Sequence, residues 1–213
     1  MSDFSLYLVT DTALCGARGV LATVIDAVAG GIRTVQVRDK TASDDAVLRL
    51  VLQVAGAVGD RATVIVNDRV DVYRRALAEG AAVHGLHVGQ GDEAVARVRD
   101  RVGPDAVVGI TANTPAEFAR VFALPAGTAD YLGVGVIRAT TTKPDHPPVL
   151  GVPGFAALTR TSALPCIAIG GIGLADVWPL RQAGAAGVAV VSAVCAAPDA
   201  RAAARALHRE WTR

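Results

Sequence analysis

Short apolar runs recur along the chain at spacings that leave room for a helix between one and the next. Eight can be marked: Leu6 to Thr10, Thr34 to Arg38, Thr63 to Asn67, Gly85 to Val88, Val107 to Thr111, Tyr131 to Val136, Cys166 to Gly170 and Gly187 to Ser192. Their length and their content of Val and Ile predict strands. The intervening segments change period. Val47, Val51, Val54 and Val58 recur every three or four residues, as do Ala200, Ala203, Leu207 and Trp211, which predicts amphipathic helices. Gly30-Gly31, Gly80 and Gly184 stand where helices should end, each shortly before the next strand. Eight βα units close most economically into an α/β fold, a (β/α)8 TIM barrel with a parallel eight-stranded sheet, expected to occupy residues 1–213 as one domain. An open doubly wound sheet is the competing architecture, because alternation alone does not establish closure. One stretch, Ile137 to Leu150, is too rich in Thr and Pro for either element and predicts a mobile loop after the sixth strand.

Composition supports a folded core. Of the 213 residues, 52% are hydrophobic and 19% charged, enough apolar surface to fold without disulfides or a structural metal. The net charge of +1 lacks the one-sided basic field of nucleic-acid binders, so an anionic ligand has to be held by local charge. Cys15, Cys166 and Cys195 are scattered and show no CxxC spacing, which suggests neither a disulfide framework nor a zinc site. With no leader pattern and no long uninterrupted apolar run, a soluble cytoplasmic protein without nucleic-acid or membrane partners is expected. Homo-oligomerisation stays open.

In a barrel of this kind the active site forms at the C-terminal strand ends, and polar residues cluster there. In Thr34-Val-Gln-Val-Arg-Asp-Lys40, period two places Gln36 and Arg38 on the inner face and Val35 and Val37 on the outer. A buried guanidinium is costly without an anion, so Arg38 belongs near the open mouth, with Lys40 just beyond. Arg offers a planar fork and Lys a point charge, which suits a diphosphate. The alternative is an internal salt bridge from Arg38 with Lys40 solvated. Asp68 and Asp92 arrive at the same rim from adjacent strands, as Mg2+ prefers, although either could cap a helix instead. Small residues at Gly170-Gly171 and Val191-Ser192 would let backbone N–H groups approach a phosphate, though glycines also serve ordinary turns. Thr140-Thr141-Thr142-Lys143 has the composition of a lid or of a plain polar loop. His84, His87, His146 and His208 share no spacing and read as structural or solvated.

Taken in order, Gln36-Val-Arg-Asp-Lys40, Asn67-Asp68, Gly85-Leu-His-Val-Gly-Gln-Gly-Asp92, Thr140-Thr-Thr-Lys143, Ile169-Gly-Gly-Ile172 and Val191-Ser192 resemble the thiamine phosphate synthase family. The resemblance implies a Mg2+-dependent transferase. It would join 4-amino-2-methyl-5-hydroxymethylpyrimidine diphosphate to a thiazole phosphate, carboxylated or not, releasing thiamine phosphate and diphosphate after dissociative loss of the leaving group. It further implies that Gln36, Arg38, Lys40, Asn67, Thr111 and Lys143 contact the pyrimidine diphosphate, with Arg38, Lys40 and Lys143 acting on the leaving group. By the same resemblance Thr140, Thr142, Gly170, Gly171, Val191 and Ser192 hold the thiazole phosphate, and Asp68 and Asp92 ligate the metal. The chain departs from the family at Gly91 and Thr111, usually Glu and Ser, and at Val136, Arg138 and Ala139, usually Pro, an aromatic and Pro. Arg138 would add positive charge near the anion sites. Two other readings are a thiazole tautomerase-like isomerase of the same barrel type and a non-catalytic barrel that binds a phosphorylated metabolite.

Overall fold

The computed structural model of the protein describes residues 2–89, 95–140, 142 and 147–213. Each predicted apolar run is a strand: β1 (Leu6–Val9), β2 (Thr34–Val37), β3 (Thr63–Asn67), β4 (Gly85–Val88), β5 (Val107–Thr111), β6 (Tyr131–Gly135), β7 (Cys166–Ile169) and β8 (Gly187–Val190). Every strand pairs in parallel with its sequence neighbours, and Leu6 of β1 opposite Val188 of β8 closes the barrel. The open doubly wound alternative is thereby excluded. Around the sheet run α1 (Thr12–Cys15), α2 (Gly19–Gly30), α3 (Asp44–Val58), α4 (Val70–Ala78), α5 (Val95–Val102), α6 (Pro115–Phe122), α7 (Gly151–Thr159), α8 (Leu174–Gln182), α9 (Ser192–Cys195) and α10 (Ala200–Trp211).

Five strands end sooner than their apolar runs suggest. Thr10, Arg38, Val136, Gly170 and Val191 lie beyond the last paired residue, over the C-terminal mouth, and Ser192 opens α9 there. Hydropathy continues past these points because the residues still cover the barrel end, and the Thr10 N–H still reaches the Gln36 carbonyl at 2.9 Å. The consequence is functional: these side chains face the opening.

Two apolar layers hold the fold. Strands buried on both faces read as continuous hydrophobic runs, and alternate residues serve different layers. Leu6, Leu8, Val35, Val37, Val64 and Val66 face outward to the helices, where Val47, Val51, Val54 and Val58 of α3 meet them. Each of those four valines is at most 2% exposed, so each contributes about 1.5–3 kcal/mol of burial. In α10 it is Ala204 rather than Ala203 that packs deepest, one position round the helix from the predicted stripe. Inside the barrel lies a second cluster of Tyr7, Val9, Ile65, Tyr131, Ile167 and Ala189.

The segment Thr12–Gly30 is long and apolar enough to cross a membrane by length and hydropathy. It is interrupted by a 3-10 turn at Gly16–Arg18, and Val20, Val24, Ala27 and Val28 of α2 join the outer core. A core helix passes the same hydropathy test, and packing accounts for these apolar positions.

Candidate active site

A cavity of about 220 Å³ opens at the C-terminal end of the barrel. It is lined by the described members of the predicted set: Gln36, Arg38, Lys40, Asn67, Asp68 and Thr111 on one side. Thr140, Thr142, Gly170, Gly171, Val191 and Ser192 line the other. Asp92 and Lys143, together with Gly91, fall outside the described residues.

The rim beyond β2 is rigidly built. Asp39 Oδ1 accepts the N–H groups of Thr41 and Ala42, each at 3.0 Å, and Oδ2 accepts the Thr12 hydroxyl at 2.8 Å. Partial burial works against ionisation of this carboxyl, but donors from Ala42, Thr12 and Thr41 outweigh it and hold the pKa at about 2. Arg69 Nη2 clamps the same turn through the carbonyls of Asp39, at 2.8 Å, and Ala42, at 2.7 Å. Arg38 and Lys40 therefore project from a fixed loop. Among the described residues Arg38 forms no ion pair, which removes the internal salt bridge considered for it. Lys40 is not simply solvated, for its Nζ lies 2.5 Å from Asp68 Oδ2.

Asp68 does not start a helix. The N-cap of α4 is Arg69, without a side-chain cap, while Asp68 takes φ 60 and its Oδ2 accepts from Lys40 and, at 2.6 Å, from Asn67 Nδ2. Asp is among the few non-glycine residues that tolerate this left-handed region, at a cost that a site can retain when position matters. Its side chain is 20% exposed and faces the cavity.

Sequence reasoning missed the cavity floor. Gln36 Nε2 donates to the Tyr7 hydroxyl at 2.8 Å, and the Tyr7 and Tyr131 hydroxyls lie 2.8 Å apart. His87 continues the chain, with Nδ1 3.1 Å from the Tyr131 hydroxyl and Nε2 3.0 Å from Thr111 Oγ1. Gln36 donates to Tyr7, either phenol can donate in the Tyr7–Tyr131 bond, and the roles of the two His87 nitrogens follow its tautomer. Burial raises the pKa of both phenols, so they remain neutral hydroxyls. His87 is thus a wall of the cavity rather than a solvated residue. His84, by contrast, is structural: its Nδ1 accepts the Val64 N–H at 3.0 Å, and burial lowers its pKa.

Glycines on the inner face make room for this floor. A Cβ on Gly109 would stand 2.1 Å from Tyr131 Cζ, so the phenol ring occupies the space a side chain would need. The signal was present in the sequence, since period two aligns Tyr7, Gln36, His87 and Tyr131 inward. An aromatic in an apolar strand nevertheless reads first as core.

Arg138 corrects another expectation. Its Nε and Nη2 donate to Asp176 Oδ1 at 2.9 and 2.7 Å, so its charge is compensated rather than added to the anion sites. The described part of the loop from Ile137 to Leu150 has no regular structure and rests on the barrel through Ile137 N to Ile169 O and Leu150 N to Val136 O.

Among the described residues no group of three His, Cys, Asp or Glu could hold a metal. Mg2+ needs less from a protein, taking one or two carboxylates while phosphates and water complete its shell. Asp68 is such a carboxylate, with Oδ1 uncommitted among the described residues and the Asn67 side-chain amide beside it at the cavity. The donor set fits a hard cation.

The family model described as thiamine monophosphate synthase matches residues 6–194. A thiamine-phosphate synthase of Psychrobacter sp. (strain PRwf-1) is 41% identical over 95% of this chain and 93% of its own length. One from Azorhizobium caulinodans is 45% identical over 96% of this chain and 93% of its own. Among solved structures, the thiamine phosphate pyrophosphorylase from Pyrococcus furiosus superposes with a TM-score of 0.84 at 27% identity, covering 99% of this chain and 96% of that one. The match spans all eight strands, and the relatives are covered over nearly their whole length: the chain belongs to the thiamine monophosphate synthase family.

Proposed function

We propose that the cavity joins 4-amino-2-methyl-5-hydroxymethylpyrimidine diphosphate to a thiazole phosphate, releasing diphosphate before the new C–N bond forms. The observation that carries this reading is the charge arrangement at one rim. Arg38, without an ion-pair partner among the described residues, stands beside the Lys40–Asp68 pair and above a neutral, hydrogen-bonding floor. Arg38 and Lys40 bind the diphosphate and stabilise the charge it gains as the C–O bond breaks, which is what preorganised cations do best. Asn67 fixes Asp68, and Gln36 with the tyrosine hydroxyls offers donors and acceptors to the pyrimidine ring. Thr140, Thr142, Ser192 and the Gly170-Gly171 turn hold the thiazole phosphate on the opposite wall. Thr111 takes the pyrimidine side, and Val191 gives the thiazole apolar contact.

Mg2+, when bound by Asp68, would neutralise charge on the diphosphate oxygens. Asp92 and Lys143 complete the proposed set of ligands and cations. No nucleophile or general base is required, because the leaving group departs without proton transfer and the thiazole nitrogen supplies the electron pair. The small-molecule chemistry also supports a cytoplasmic location, as do the free, buried thiols of Cys15, Cys166 and Cys195.

Purified protein given both substrates and Mg2+ is expected to release one diphosphate per thiamine phosphate formed. Asp68→Asn is expected to lower turnover at limiting Mg2+ by about tenfold or more while leaving the circular dichroism of the barrel intact. Isomerisation of the thiazole phosphate without diphosphate release would overturn the assignment in favour of the tautomerase-like reading.

A further inference from the structure

The wall assigned to the thiazole phosphate has an unusual electrostatic problem. Asp176, in the first turn of α8, is 8% exposed, and its Oδ2 accepts the Gly173 N–H at 3.1 Å. Gly173 follows directly on Gly170, Gly171 and Ile172, which line the cavity. Asp176 does not itself line the cavity, but its carboxylate binds the residue that follows the Gly170-Gly171-Ile172 wall, and a buried carboxylate behind an anion site opposes a phosphate there. It also occupies a backbone donor at the start of the helix, where an anion would otherwise be favoured.

Arg138 answers it from the other side of the turn. Its guanidinium donates twice to Asp176 Oδ1, and its backbone N–H donates to the Gly170 carbonyl at 2.9 Å. Gly170 and Gly171 have φ of 95 and 67, and a Cβ on Gly171 would stand 2.7 Å from the carbonyl oxygens of both Arg138 and Ala139. The start of the loop after β6 is therefore pressed onto the glycine turn. Two residues on, Thr140 Oγ1 and Thr142 Oγ1 lie 2.7 Å apart at the cavity.

We propose that Arg138 and Asp176 form a charge-compensated latch that sets affinity for the phosphate of the thiazole substrate. Arg138 cancels the Asp176 carboxylate and holds the Thr140 segment against the Gly170-Gly171 turn, acting as a positioning residue. The proposal rests on the assignment of that wall to the thiazole phosphate.

Steady-state kinetics of Arg138→Met, Asp176→Asn and the double variant test it, each substrate being varied with the other saturating. Arg138→Met leaves the carboxylate uncompensated and is expected to raise KM for the thiazole phosphate about tenfold, with KM for the pyrimidine diphosphate changed less than about twofold. The side-chain amide that Asp176→Asn introduces can still accept from the Gly173 N–H through its carbonyl oxygen. The double variant therefore removes the repulsion without losing the cap and should return KM to within about threefold of the parent. A role in stability alone would not produce that split or that rescue. If Arg138→Met shifts both KM values equally, or the double variant is no better than the single one, the latch is wrong. Ser192→Ala separates the latch from the site assignment beneath it. If it leaves KM for the thiazole phosphate unchanged, the site assignment fails and the latch with it. A rise with Ser192→Ala and none with Arg138→Met sinks the latch alone.

Discussion

Tyr131 joins the core of the barrel to its site. Its side chain is fully buried, and its hydroxyl lies between Tyr7 and His87. Tyr131→Phe would remove both hydrogen bonds at once and leave the buried Tyr7 hydroxyl one partner short. An unmet buried polar group costs about 1–3 kcal/mol, so a lower melting midpoint by several degrees is expected, measured by thermal denaturation. The variant should also raise KM for the pyrimidine diphosphate, because the Gln36 amide loses the chain that orients it; an unchanged KM would restrict the network to stability. The sequence shows why this was hard to read. Arg38, Lys40, Asp68 and Ser192 stand out because charge and hydroxyl groups at strand ends are conspicuous against apolar runs. Tyr131 does not, for its ring belongs to the core and only its last atom belongs to the site. Arg138 and Asp176 lie 38 residues apart, and no local pattern connects them.

Among elements, the strands were legible almost to the residue, because burial on both faces writes a continuous Val and Ile signal and the helices between carry a different period. The endings were less so, since the chain at Gly170 and Val191 keeps apolar neighbours after leaving the sheet. Packing between helices was not legible at all. Gly30 ends α2 and looked like simple punctuation, yet a Cβ there would stand 2.6 Å from both Ala204 Cβ and the Arg201 carbonyl of α10. The two helices touch backbone to backbone at this point. Gly30→Ala is expected to force them apart and destabilise the protein by about 1–3 kcal/mol despite the better helix propensity of alanine, as urea denaturation would measure. A variant as stable as the parent would mean that α10 can shift without loss.

Across the whole molecule, closure of the sheet makes β7 a strand with partners on both sides, so exposing Cys166 requires the barrel itself to open. Cys15 is equally hidden, at 4% exposure, but sits in the four-residue α1 outside the sheet. Opening free energies vary across a fold from fraying segments up to the global value, and α1 has few bonds to break. Chemistry points the same way. Cys195 Sγ donates to the Val9 carbonyl at 3.8 Å, and the neighbouring thiols act on each other so that the pKa of Cys15 is lowered and that of Cys195 raised, while burial raises that of Cys166. Since the thiolate is the reactive form, alkylation of the native protein is expected at Cys15 first, quantified by peptide mass spectrometry. Its rate should depend weakly on low concentrations of urea, as local opening exposes little surface. Cys166 should instead follow the full denaturant dependence of global unfolding. Labelling of Cys166 as fast as Cys15 in native buffer would show that β7 leaves the sheet on its own, and that the closed barrel does not behave as one cooperative unit.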